Sequence, residues 1–185
     1  MPRKQLFLGQ TNMQKQRTIR TQTGYTLIEL LLYVAITGIL LTATTGFFGL
    51  VADARVKNQT ISEVNDQGVF IMDYLTQTVR NATSITTPIT GASGSSLTLV
   101  VPTVSLSPTI FSLSGTTLQV QEGAAAAVAL SNSKVQVSAF SVKNLTRSGT
   151  SGIVQISITL SRINTAGRNE YDYTQTFTTS AALRP

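Results

Sequence analysis

Leu30-Leu-Leu-Tyr-Val-Ala-Ile-Thr-Gly-Ile-Leu-Leu-Thr-Ala-Thr-Thr-Gly-Phe-Phe-Gly-Leu-Val-Ala52 carries no charged side chain from end to end. As a helix it is roughly 34 Å long, enough to cross the hydrocarbon core of a bilayer. Five of the 14 Lys and Arg residues, namely Arg3, Lys4, Lys15, Arg17 and Arg20, precede it in a stretch without any acid. Only Asp53, Arg55 and Lys57 lie just after it. This asymmetry predicts an N-terminus on the cytoplasmic side and a translocated body. The remaining chain carries 9 basic residues against 8 acidic ones, so +5 of the net charge of +6 belongs to the N-terminal arm.

Basic residues followed by an apolar run also describe a secretory signal peptide, and Ala52-Asp53-Ala54 offers a small-residue cleavage site. The run is longer than a usual apolar signal core, and Glu29 stands at its leading edge, where a signal peptide gains nothing from a carboxylate. A plain signal anchor explains the length but leaves Glu29 without a reason, because an acid inside a membrane helix is costly.

Gly24-Tyr25-Thr26-Leu27-Ile28-Glu29, followed by Leu30-Leu31-Leu32, resembles the prepilin cleavage and methylation signal of type IV pilins and pseudopilins. The resemblance implies cleavage by a membrane prepilin peptidase between Gly24 and Tyr25, followed by N-methylation of Tyr25. Phenylalanine is the usual first mature residue, and Tyr25 keeps its aromatic bulk. The resemblance gives Glu29 an assembly role, neutralising the N-terminal ammonium of a neighbouring subunit. A buried pair of this kind sets register, since removing one partner strands the other at about 3–5 kcal/mol. Gly38, Thr42 and Gly46 recur every four residues beside Ala35 and form a small-residue face for close helix packing. Related major pilins often have a proline near the place of Gly46; here any unwinding between Gly38 and Gly46 would rest on glycine alone.

Beyond the apolar run, Ile61, Val64, Ile71, Leu75 and Val79, with Gly68 and Ala82 on the same stripe, predict an amphipathic helix to about residue 80. From residue 85 the composition turns to Ser, Thr, Gly and Val. Six strands are expected at 96–101, 109–113, 117–121, 134–142, 153–161 and 171–179. Pro102 and Pro108 bracket a linker or edge, and residues 124–127 are ambiguous. The expected fold class is α+β: a long N-terminal helix, transmembrane in its first half and amphipathic in its second, packed on an antiparallel β-sheet head. The expected segments are a cleaved leader at 1–24, a transmembrane and assembly helix at 25–54, an amphipathic helix at 55–84 and a β-rich head at 85–185. The order of elements and the ending Phe177-Thr178-Thr179-Ser180-Ala181-Ala182-Leu183-Arg184 resemble minor pilins and pseudopilins, including the J-type pseudopilins of type II secretion and the W-type minor pilins.

The absence of Cys, His and Trp removes disulfide frameworks, Cys/His zinc sites, iron–sulfur ligation and histidine-based triads. There is no phosphate loop, no calcium loop and no carboxylate pair at a glycosidase spacing. No catalytic residue, metal or cofactor is expected. Asn58, Asn81 and Asn144 begin glycosylation sequons, a pattern frequent by chance. Arg55, Lys57 and Arg80 share their helix with Asp53, Glu63, Asp66 and Asp73, which argues against nucleic acid as a partner. The expected partners are other pilins or pseudopilins, the prepilin peptidase, the membrane platform of the assembly machine, and membrane lipid. The competing reading is a secreted or membrane-anchored β-domain adhesin or binding protein on an ordinary signal peptide.

Overall fold

The computed structural model describes residues 24–184, so the basic leader residues from Arg3 to Arg20 lie outside the described residues. The chain divides into two units, Met1–Thr45 and Gly46–Pro185. One helix, α1, is assigned over Leu27–Asn81, and nine strands follow: β1 (Ser84–Thr87), β2 (Ser93–Gly94), β3 (Ser96–Val100), β4 (Thr109–Ser114), β5 (Thr117–Glu122), β6 (Val128–Ala129), β7 (Val135–Asn144), β8 (Ile153–Arg162) and β9 (Thr174–Ala182). The α+β class is as expected. The single six-strand sheet is not: the strands form two antiparallel sheets, ordered β1-β3-β4-β5-β6 and β2-β7-β8-β9.

In the second unit, α1 buries Thr60, Val64, Gly68, Ile71, Met72, Leu75 and Val79. This is the expected stripe, widened by Thr60 and Met72, with Ile61 only half-buried. The stripe faces both sheets. The Tyr74 ring meets Phe111 of β4 edge to face at 6.0 Å, and its hydroxyl donates to Glu122 of β5. On the other side, the Phe177 ring of β9 lies over Gly68, where an added Cβ would overlap it. One continuous core results, with Leu97, Leu99, Phe111 and Leu118 from the first sheet and Val142, Val154, Ile156, Ile158 and Leu160 from the second. Each fully buried aliphatic side chain here stabilises the fold by about 1.5–3 kcal/mol.

Strand β8 alternates as its sequence predicts, Val154, Ile156, Ile158 and Leu160 inward and polar residues outward. On the outer face, Ser157 meets the Thr178 hydroxyl at 3.2 Å, and Thr159 meets that of Thr176 at 2.9 Å. Strand β7 breaks alternation. A bulge between Val137 and Ala139 lets Val137 and Phe140, three residues apart, both point inward.

Three further corrections have local causes. Strands β1 and β2 lie outside the six expected strands, because their Ser, Thr and Gly residues have no apolar alternation and are held by pairing with β3 and β7. Backbone bonds from Gly91 N to Asn144 O (3.0 Å) and from Asn144 N to Ala92 O (3.0 Å) fix the β2 end. The short β6 follows the ambiguous 124–127 stretch and pairs with Gln119 and Val120. The last strand starts at Thr174 rather than 171, because Asn169–Tyr171 forms a 3-10 turn. Lys57 of α1 donates its ammonium protons to Asn169 O and Asp172 O at that turn.

Candidate functional site

Thr26 starts α1: its hydroxyl accepts from Glu29 N (3.3 Å) and its carbonyl accepts the first helical bond from Leu30 N (3.1 Å). The Thr-x-x-Glu spacing is that of a capping box, and it places the Glu29 carboxylate on the first turn, where the helix dipole favours negative charge. One turn on, the Tyr33 hydroxyl donates to Glu29 Oε1 at 3.3 Å. The Tyr33 ring also meets Tyr25 edge to face, with centroids 6.2 Å apart at 81°. Exposed Tyr25 and Tyr33 and half-buried Glu29 thus form one group at the helix start, directly after Gly24, which has nothing within 4 Å of an added Cβ. Tyr33 and the Thr26 cap are additions to the expected site, and the four-residue Glu-to-Tyr spacing was their signal.

Gly38 and Thr42 border a shallow apolar hollow with Val34, Ala35, Ile39 and Ala43. Thr42 turns its hydroxyl proton onto Gly38 O at 2.9 Å. Thr37, Thr44 and Thr45 do the same to the carbonyls of Tyr33, Leu40 and Leu41, at 2.7, 2.7 and 2.8 Å. Every threonine of the apolar run therefore satisfies its own donor within the helix, as a surface facing hydrocarbon requires. Residues 38–46 are helical throughout, so no unwound stretch is present there. Gly46 belongs to the second unit and also has open space where a Cβ would stand. The apolar window of α1 is long and apolar enough to cross a membrane, and none of it is buried.

Several charges of the second unit serve its own packing. Glu63 of α1 is 17% exposed; it pairs with Arg162, 19% exposed, and with Lys134 at 3.1 Å. Arg168 lies 3.2 Å from Glu170 and 3.7 Å from Asp53, and the guanidinium groups of Arg162 and Arg168 stand 5.7 and 5.6 Å from the centre of the Tyr171 ring. Glu170 is held below the usual carboxylate range by its own backbone amide and then by Arg168. Arg168 is raised in turn, chiefly by its hydrogen bond to Glu170. Lys57 is a staple from α1 to the 169–172 turn. Asn144 of the third sequon is buried, with its amide spent on Pro88 O (2.8 Å) and Thr146 N (3.0 Å). Among the described residues no group of three His, Cys, Asp or Glu side chains is placed to hold a metal ion.

The family model described as the prokaryotic N-terminal methylation motif matches residues 19–45, the stretch that contains Gly24, Tyr25, Glu29, Gly38 and Thr42. No curated protein and no solved structure matches the chain. The matched motif, leading into a helix long and apolar enough to cross a membrane, supports placing the chain with the type IV pilin-like prepilins.

Proposed function

We propose that this chain is a non-enzymatic structural subunit, minor and near the tip, of a type IV pilus or pseudopilus. It enters the membrane as a prepilin with its basic leader inside and its head outside. It is cut between Gly24 and Tyr25, methylated at Tyr25, and assembled through α1. One observation carries the reading: the methylation motif runs straight into an exposed apolar helix whose first turn holds a carboxylate beside the new N-terminus. Once Gly24 is removed, the nitrogen of Tyr25 becomes an ammonium. Glu29 keeps lone pairs free for the ammonium of an adjoining subunit, because Tyr33 engages only Oε1. Close approach of subunits is served by Gly38, Thr42 and Gly46, with the Thr42 hydroxyl turned inward. The sibling pilins, the peptidase, the membrane platform and lipid are the partners this reading requires.

The signal-peptide alternative places its cut after Ala54, in the middle of α1 and next to Asp53, which faces Arg168. Such a cut would interrupt α1 ahead of its buried residues, which begin at Thr60, and release the head from the apolar run. Co-production of the full chain with a prepilin peptidase, followed by intact-mass analysis, tests the proposal. The expected product is residues 25–185 carrying one added methyl group, and Gly24→Val should remain unprocessed. A product starting after Ala54 refutes the pilin reading.

A further inference from the structure

A cleft of about 330 Å³ opens at the seam of the two sheets, where the exit of α1, the β7–β8 loop and the end of β9 meet. Six hydroxyl side chains line it, those of Thr83, Ser84, Thr90, Thr146, Thr150 and Ser151, together with Arg184 and no acid. The hydroxyls are not all spent. Thr83 donates to Val100 O (2.9 Å) and keeps lone pairs; Thr146 accepts from Ile153 N (3.0 Å) and keeps its proton. Ser84, Thr90 and Ser151 make no side-chain hydrogen bond among the described residues.

The frame of the cleft is tied together by hydrogen bonds and packing. Buried Asn144 ties Pro88 to Thr146, as described above. Gly152 is buried where Ile85 and Leu183 close over it, with their Cδ1 atoms 2.7 and 2.6 Å from the place of a Cβ. These two side chains give the cleft an apolar side among its hydroxyls. Arg184 is exposed, with its backbone amide anchored on Arg80 O at 3.2 Å, and no Asp or Glu of the described residues pairs with it.

A matching ligand is compact, offers hydroxyl donors and acceptors on several sides, has an apolar face and bears one negative charge. We propose that this cleft binds a carboxylated monosaccharide unit, a hexuronate, with its carboxylate on Arg184 and its ring hydroxyls on Ser84, Thr146 and Ser151. The guanidinium suits a carboxylate because its two parallel donors match the two oxygens. A neutral sugar leaves that fork unused, and a bare anion leaves the hydroxyl wall unused. The proposal is independent of the assembly role of α1.

The test titrates the full chain, in detergent micelles, with methyl β-glucuronide, methyl β-glucoside and sodium acetate, followed by calorimetry and by amide NMR shifts. The glucuronide should saturate and move Thr83, Thr146 and Ser151. The glucoside should bind at least about tenfold more weakly, and Arg184→Gln should weaken the glucuronide by at least about tenfold, one charge-assisted bidentate contact being lost. Acetate should not compete over the same range. Ser151→Ala, a surface change, should also weaken the glucuronide while leaving the fold intact. The proposal is overturned by absence of glucuronide saturation, by equal affinity for glucoside, by acetate competing as well as the glucuronide, or by undiminished binding in Arg184→Gln.

Discussion

Gly68→Ala sets two known effects against each other. In an ordinary helix interior the change stabilises by about 0.8–1.0 kcal/mol, since alanine loses less backbone freedom on folding. Here the new Cβ would overlap Cζ and Cε2 of Phe177 and lie 2.7 Å from Cε1. Gly68 is buried, and the half-buried Phe177 ring stands on the inward face of β9, opposite Ile158 and packed against the core. Either the ring leaves the core or α1 and β9 separate, and overpacking of this kind costs about 1–3 kcal/mol. The clash wins, with a net loss of up to about 2 kcal/mol, which lowers Tm by several degrees in a domain of this size. Thermal unfolding of the detergent-solubilised full chain, followed by circular dichroism, measures it. In a Phe177→Ala background the same substitution has room, so its sign should reverse, with a coupling of at least about 1 kcal/mol in the double-mutant cycle. A higher Tm for Gly68→Ala in the parent chain would refute the packing argument.

Glu29→Ala should leave membrane insertion intact, because it removes an intramembrane charge, and should sharply reduce incorporation into sheared filaments, since a stranded ammonium costs about 3–5 kcal/mol; normal incorporation counts against the assembly role. Glu63→Gln should destabilise the head by about 1.5–3 kcal/mol in urea unfolding, because Arg162 loses a charged partner in a largely enclosed site, whereas Lys134→Gln, at an exposed amine, should cost far less. Tyr74 has its phenol pushed above the ordinary value of about 10 by burial and then by the Glu122 charge and hydrogen bond. The native state thus holds that proton longer than the unfolded chain, and stability present below about pH 10 is lost as pH rises through the raised value. Tyr74→Phe should remove this part of the alkaline loss of stability, visible as a flatter dependence of Tm on pH above 10.

The parts legible in the sequence are those encoded within one element. A charge-free run, an acid at its edge and a preceding glycine are adjacent residues, and a membrane span is a property of local composition. The stripe from Val64 to Val79 and the alternation of β8 likewise repeat with the period of their own backbone. The glycine of the stripe was visible at position 68; the ring that needs it, Phe177, was not, because their contact joins elements far apart in the chain. Strands β1 and β2 have no pattern of their own and exist because β3 and β7 offer unpaired backbone groups. The β7 bulge reverses the parity that alternation assigns, and only pairing with β8 shows where the extra residue sits. The division into two sheets and the cleft at their seam are likewise products of which strands meet. Local periodicity states which way a side chain points within its own element, whereas pairing partners are chosen by the shared burial of segments distant in sequence, and that choice belongs to the tertiary structure.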